Sequence, residues 1–144
     1  MLVQQILKSK PSQDILTISG SASVSEATEI MSANRIGAIV VSEDGTSVLG
    51  ILSERDIVRE LGKRGTGCLT DSVADLMTTD LYTCTLEDRA DGVLEMMTKG
   101  RFRHLPVMTG DKMVGLISIG DVVNARLSEM SMENEALEGM IKGF

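Results

Sequence analysis

Two short stretches of the chain place a serine three residues before an aspartate: Ser53-Glu54-Arg55-Asp56 and Ser118-Ile119-Gly120-Asp121. Each follows an apolar run that opens with glycine, Gly50-Ile51-Leu52 and Gly115-Leu116-Ile117. A serine at the point where a strand gives way to a helix, with a carboxylate one turn on, can do two things. It can cap the helix, the hydroxyl and the carboxylate each taking a backbone N–H of the other. It can also bind a nucleotide. The first N–H groups of a helix lack partners inside it, and the helix dipole favours an anion there, so a phosphate could take those donors with the serine hydroxyl. A carboxylate one turn further could accept both hydroxyls of a ribose, as acidic residues do in dinucleotide folds. The apolar strands before the motif offer a slot for a flat purine. Both readings can hold in one protein, capping when it is empty and ligand contact when it is full.

The charges around the motifs differ. The first has Arg55 at the helix start, where the second has Gly120. The second is preceded by Arg101, Arg103 and His104, the first by Arg35, Gly37 and Ala38. The planar fork of arginine donates two bonds at once to a phosphate. Arg55 and Arg103 are therefore candidate phosphate contacts, and Arg103 with His104 could reach the phosphates of a ligand larger than AMP, such as NAD or ATP. Arg35 reads better as the solvated end of a helix. His104 alone before a strand fits either role. No residue is assigned a catalytic part: there is no P-loop and no activated-nucleophile signature. Cys68 and Cys84 are not at metal-ligand spacing, and with one histidine in the chain no metal site is expected.

The elements that must hold these residues come in two copies. Arg35-Ile36-Gly37-Ala38-Ile39-Val40-Val41 and Arg101-Phe102-Arg103-His104-Leu105-Pro106-Val107 lie 66 residues apart, each after a helical stretch. Each unit reads as strand, helix, strand, strand, helix. Ile15 to Ile18 and Leu81 to Cys84 are the short first strands. Ser23 with Glu26 predicts a capping box, followed by one helical face of Ala27, Ile30, Met31 and Ala33. Val93, Leu94, Met96 and Met97 match it in the second copy. Ile36 to Val41 and Val48 to Leu52 flank an Asp-Gly turn, a hairpin signal. Glycines inside strands, at Gly50 and Gly115, suggest a bend or a close approach. A unit of about 60 residues is too short to bury a convincing core alone, so the two should pack together.

The duplicated hairpin followed by glycine, two apolar residues, Ser-x-x-Asp and a helix resembles the CBS domain, and the pair resembles a Bateman module. Val73-Ala74-Asp75-Leu76-Met77-Thr78 is similar to the family's linker into its second domain. The resemblance implies an α+β (α/β) fold of tandem βαββα repeats packed sheet to sheet, with ligands in the clefts between them. It implies domains over 1–66 and 67–128, with a helical tail over 129–144. It places Met77 and Thr78 at the edge of the purine slot and extends the ligand-binding set to Thr17, Ala38, Ile39, Thr83, Leu105 and Pro106, beside Ser53, Arg55, Asp56, Arg103, His104, Ser118 and Asp121. Lys8, which aligns loosely with Thr78, is a weaker phosphate candidate. The implied ligand is an adenine nucleotide (AMP, ATP or NAD). S-adenosylmethionine is a further option, though its positive sulfonium suits Arg55 and Arg103 poorly. The implied role is a non-catalytic sensor that forms a homodimer and acts through an unknown effector protein. A ligand-free dimerisation module and a nucleotide-acting enzyme are the rivals.

Bulk properties agree with a packed domain. The 144 residues are 42% apolar and 24% charged, with ten methionines and only Tyr82, Phe102 and Phe144 as aromatics. A net charge of −7 disfavours nucleic acid, and the scarcity of rings removes the stacking platform that single-strand binders use. No window is apolar for the length of a membrane span or a signal peptide, so a cytoplasmic protein with reduced thiols is expected. Beyond Asp121 the residues Val123, Leu127, Met130, Asn134, Leu137, Ile141 and Phe144 follow coiled-coil spacing, with one polar member. This seam could pair with a second chain or lie back on the module.

Overall fold

The computed structural model describes residues 1–11 and 15–141. The chain forms two compact units, and neither is a simple half of the sequence.

One unit carries Asp56. Its strands β1 (Thr17–Ile18), β2 (Ala38–Val41) and β3 (Gly50–Ser53) form a sheet in that order. β1 runs parallel to β2, and β2 runs antiparallel to β3 with Ala38 opposite Ser53 and Val41 opposite Gly50. Helices α2 (Val24–Asn34), α3 (Glu54–Arg64) and α4 (Val73–Leu76) cover it, with a 3-10 turn over Gly65–Thr70. Ile18, Val24, Ala27, Met31, Ile39, Val41, Leu52, Ile57, Val73 and Leu76 make its core.

Local chemistry explains these elements and where they depart from expectation. β1 is shorter than the apolar run Ile15 to Ile18. Ser23 caps α2, its hydroxyl accepting the Glu26 N–H at 3.1 Å, but only this half of the expected box forms among the described residues. The buried face of α2 is Val24, Ala27 and Met31; Ala33 is exposed, because two residues past Met31 the helix has turned by about 200°. Arg35 closes the helix in the left-handed region at φ 54°, which delays β2 to Ala38. The Asp44-Gly45 pair does not make a tight hairpin. The Asp44 carboxylate accepts the N–H groups of Thr46 and Ser47 at 2.9 and 2.7 Å, and these bonds organise a wide loop between β2 and β3.

The other unit carries Asp121. It contains α1 (Val3–Ser9), α5 (Ala90–Gly100), the hairpin strand β4 (His104–Thr109), its partner β5 (Lys112–Ser118) from Gly115 on, and α6 (Ile119–Ile141). Here the connection is the two residues Gly110-Asp111, with Gly110 at φ 63°, a conformation glycine adopts without strain. The expected first strand, Leu81 to Cys84, shrinks to a single parallel bridge of Cys84 with Val107. Val3, Ile6, Cys84, Val93, Met97, Leu105, Val107, Ile117 and Val122 are buried in its core.

The lead-in segments are exchanged between the repeats. In the Asp56 unit the Val24 N–H donates to Asp71, Val73 to Ala22 and Ala74 to Gly20, at 2.9, 2.8 and 3.0 Å. In the Asp121 unit Ala90 donates to Met1, Val3 to Asp88 and Gln4 to Leu86, again at 2.9, 2.8 and 3.0 Å. α1 is thus the counterpart of α4, and each completes the repeat that lies elsewhere in the chain. The same exchange explains the strand glycines. A Cβ on Gly50 would stand 2.8 Å from both the Met77 sulfur and the Thr78 carbonyl oxygen. One on Gly115 would stand 2.7 Å from Leu7 Cδ1.

The obstacle at Gly50 includes backbone, whereas that at Gly115 is the end of a leucine side chain. Gly50→Ala is therefore expected to lower the unfolding free energy by about 2–3 kcal/mol and Gly115→Ala by about 1 kcal/mol. Urea denaturation of both variants measures this, and equal losses would contradict it.

Candidate ligand-binding site

Each unit presents one Ser-x-x-Asp constellation at the junction of a strand and a helix. At the end of β3, the Ser53 hydroxyl accepts the Asp56 N–H at 3.2 Å and the Asp56 carboxylate accepts the Ser53 N–H at 3.0 Å. At the end of β5 the same reciprocal pair joins Ser118 and Asp121, at 3.1 and 2.9 Å. Both motifs are therefore complete capping boxes.

The boxes correct one expectation. The first helical N–H groups were to be phosphate donors, yet several are spent inside the chain. Besides the boxed serine and aspartate amides, the Glu54 N–H donates to the Gly37 carbonyl at 2.9 Å and the Ile119 N–H to the Arg103 carbonyl at 2.8 Å. These last bonds tie each helix start to the residue before β2 or β4. A phosphate here would have to be held chiefly by side-chain cations.

The two carboxylates meet different neighbours. Asp56 is only 5% exposed. Arg59 donates to its Oδ1 at 2.7 Å, and the Thr78 hydroxyl lies 3.3 Å from the same oxygen. Thr78 is fixed there because its backbone forms a bridge with Ile51, N–H to carbonyl at 2.9 Å and the reverse at 3.0 Å. Asp121 receives an ammonium instead. Lys10 Nζ stands 3.1 Å from Asp121 Oδ2 and donates to the Leu116 carbonyl at 3.0 Å. Partial burial works against ionising Asp121, but the Ser118 N–H and the Lys10 charge outweigh it and hold the carboxyl below the usual aspartate range.

The other candidates fall into two groups. In the Asp56 unit Thr17 is half-buried on β1, Ala38 and Ile39 are buried on β2, Arg55 is exposed on α3, and Met77 lies half-buried against Gly50. In the Asp121 unit Thr83 is exposed before Cys84, Arg103 is exposed, His104 is half-buried at the start of β4, and Leu105 and Pro106 are buried on that strand. Ile39 and Leu105 belong to the hydrophobic cores and are closed to solvent, so they support the strands beneath the motifs, and a ligand could touch them only after the chain opened. Lys8 is exposed on α1 and makes none of the contacts with Asp121; Lys10 makes them. Sequence reasoning missed Lys10 because the repeats set it opposite Asp80, a residue of opposite charge outside every motif. The only signal was a lysine just beyond a helix that packs on the second repeat.

A duplicated unit with this element order, capped at each strand-to-helix junction by serine and aspartate, defines an α+β tandem-repeat protein. The CBS domain profile matches residues 3–63 and 73–128, and the chain belongs to that family. It is 36% identical over 124 residues to the mitochondrial CBS domain-containing protein CBSX3 of Arabidopsis thaliana, covering 83% of this chain and 60% of that protein. The chain thus spans about 60% of that relative's length. A crystal structure of a CBS-domain containing protein from Agrobacterium tumefaciens superposes with a TM-score of 0.82 at 40% identity, covering 87% of this chain and 92% of the other. CBSX2, solved in complex with AMP, superposes with a TM-score of 0.74 at 25% identity over 90% of this chain and 98% of the other. The CBS domain pair of MJ0100, solved with 5'-methylthioadenosine and S-adenosyl-L-methionine, shares the fold at 22% identity and a TM-score of 0.77, over 90% and 98% of the two chains.

The lowered Asp121 carboxyl makes a signed prediction. Its folded pKa lies below the unfolded value of about 3.9, so it stabilises the fold above that pH and the contribution fades as pH falls through the folded value. Asp121→Asn should therefore separate from wild type in urea midpoint near pH 7, and the gap should narrow as pH falls below the ordinary aspartate range. A gap that stays constant as pH falls would contradict this account of the carboxylate.

Proposed function

We propose that the protein is a non-catalytic sensor of adenine nucleotides. The observation that carries this reading is the pair of matched Ser–Asp constellations, one per unit, each with its carboxylate reached by a residue of the exchanged lead-in segment. A ligand whose ribose hydroxyls replaced Thr78 or Lys10 on the carboxylate would compete with the segment that completes the unit. Binding would then favour one placement of that segment over another, as a ligand must if it is to shift a conformational equilibrium.

Asp56 and Asp121 are the ribose acceptors in this reading, with Ser53 and Ser118 holding them in place. Met77, Thr78, Thr17 and Thr83 border the ligand, together with the backbone of Ala38 and Pro106. Arg55, Arg103 and His104 supply the phosphate contacts that the capped helix starts no longer offer. The AMP complex of CBSX2 supports an adenosine ligand, and AMP, ATP and NAD are the candidates for this chain. We assign the output to an effector protein, in the cytoplasm. No helix among the described residues is long and apolar enough to cross a membrane. α6 leaves Leu127, Met130 and Leu137 exposed along the heptad seam, and Asn134 shares that seam. Self-complementary spacing of this kind supports a homodimer.

A second reading has its own support. Both carboxylates close capping boxes, which is all a ligand-free structural module would need.

Thermal unfolding with AMP, ATP, NAD or S-adenosylmethionine separates the two. A ligand at a hundred times its dissociation constant adds about 2.7 kcal/mol, a midpoint rise of roughly 5–11 °C at this size. The sensor reading expects such a rise with adenine nucleotides and its loss in the Asp56→Ala, Asp121→Ala double variant. If none of the ligands moves the midpoint, the structural module is the correct reading.

A further inference from the structure

The exchanged helices α1 and α4 are equivalent as far as Ile6 and Leu76, and then they part. α4 stops at Leu76, so the next residues extend and the Thr78 backbone bridges Ile51 on β3. α1 continues to Ser9. The position that aligns with Thr78 is thereby kept on a helix, where Lys8 faces solvent. The Leu116 carbonyl, which corresponds to that of Ile51, is satisfied instead by the Lys10 side chain. What the first unit achieves with a peptide bridge and a neutral hydroxyl, the second achieves with one ammonium, shared between the Leu116 carbonyl and the Asp121 carboxylate.

The difference matters for any ligand that uses Asp121. The Thr78 bridge is part of the backbone, and its hydroxyl can rotate away from Asp56 at little cost. Lys10 is a charge whose two acceptors are both at the site. A ribose that took over Asp121 would strip the ammonium of its counter-ion, and a partly buried ammonium must find another. Its flexible four-carbon stem allows it to swing to a new acceptor nearby. The surroundings match this need. The position beside the helix start is Arg103 in this unit, where the Asp56 unit has Gly37 with the Glu54 carboxylate 3.2 Å from the place a Cβ would occupy. The Asp121 junction thus sets Lys10 and Arg103 together, whereas at the Asp56 junction the Glu54 carboxylate stands among the cations Arg55 and Arg59.

We propose that Lys10 is a specificity-determining residue: it closes the Asp121 site to uncharged adenosine compounds and opens it to those that carry a phosphate. The ribose hydroxyls displace the ammonium from Asp121, and the phosphate receives it. Asp56 also holds a cation, Arg59, but that side chain is 53% exposed against 28% for Lys10 and returns to water when the carboxylate is taken, so the Asp56 site discriminates less between the two kinds of ligand. This inference rests on the nucleotide-binding reading above and adds to it the charge of the ligand that each site prefers.

Calorimetric titration of the full chain with AMP and with adenosine tests it, in wild type, Lys10→Met, Lys8→Met and Asp121→Asn. Lys8→Met makes the same change in net charge on the solvent face of the same helix. The Asp121-dependent binding event, identified by its loss in Asp121→Asn, should favour AMP over adenosine about tenfold in wild type. That ratio should fall to about unity in Lys10→Met and persist in Lys8→Met. Lys10→Arg, which keeps a cation, should retain most of the preference and serves if the methionine variant folds poorly. An Asp121-dependent event with the same AMP-to-adenosine ratio in Lys10→Met as in wild type overturns the inference while leaving nucleotide binding intact. Absence of any binding by wild type overturns the nucleotide-binding reading itself, and the role of Lys10 falls with it.

Discussion

Everything in this molecule depends on the backbone hydrogen bonds that tie each lead-in segment to a repeat elsewhere in the chain. Three such bonds hold α4 to the segment before α2, and three of matching length hold α1 to the segment before α5. Without α1 the second repeat would lose Val3 and Ile6 from its core, each a side chain whose burial is worth about 1.5–3 kcal/mol. Without α4 the first would lose Val73 and Leu76. A repeat of this length has too little interior to hold together alone. Exchange of the segments makes the stability of each repeat conditional on a helix contributed from outside it.

The same exchange brings chemistry to the carboxylates. Asp56 and Asp121 are placed by their own repeats, at the ends of β3 and β5, and each is locked by a capping box. Apart from Arg59, which reaches Asp56 from its own helix, what meets them comes from the exchanged segment: a threonine hydroxyl in one unit, a lysine ammonium in the other. Capping and binding are thus compatible roles for one motif. The box fixes the carboxylate in position whether or not a ligand is present, and the lead-in residue is the part that can give way. The glycines of β3 and β5 belong to this arrangement, since a larger residue at Gly50 would push Met77 and Thr78 off the strand that orients them.

Several features were readable from the residues themselves. The 66-residue repeat, the Ser-x-x-Asp pair, the cap at Ser23 and the buried runs of β2 and β3 all follow from short-range rules of spacing and hydrogen bonding. Departures occurred where a side chain competed with the pattern. Asp44 bonded two backbone amides and turned a hairpin signal into a wide loop. Ile15 to Ile18 and Leu81 to Cys84 read as strands by composition, yet only Thr17–Ile18 and the Cys84 bridge pair, because a strand needs a partner along its whole length and these have one over a residue or two. The free N–H groups expected at the helix starts were taken by the Gly37 and Arg103 carbonyls, partners that no local pattern in the sequence marks.

By itself the sequence determined the duplicated unit, the family, and the identity of the two carboxylates with their capping serines, because each is written in residues three or four apart. The tertiary structure alone decided which helix completes which repeat, that α1 runs one turn further than α4, and that Lys10 rather than Lys8 meets Asp121. Those outcomes turn on contacts between residues about 20 to more than 100 positions apart, where spacing along the chain carries no information about distance in space.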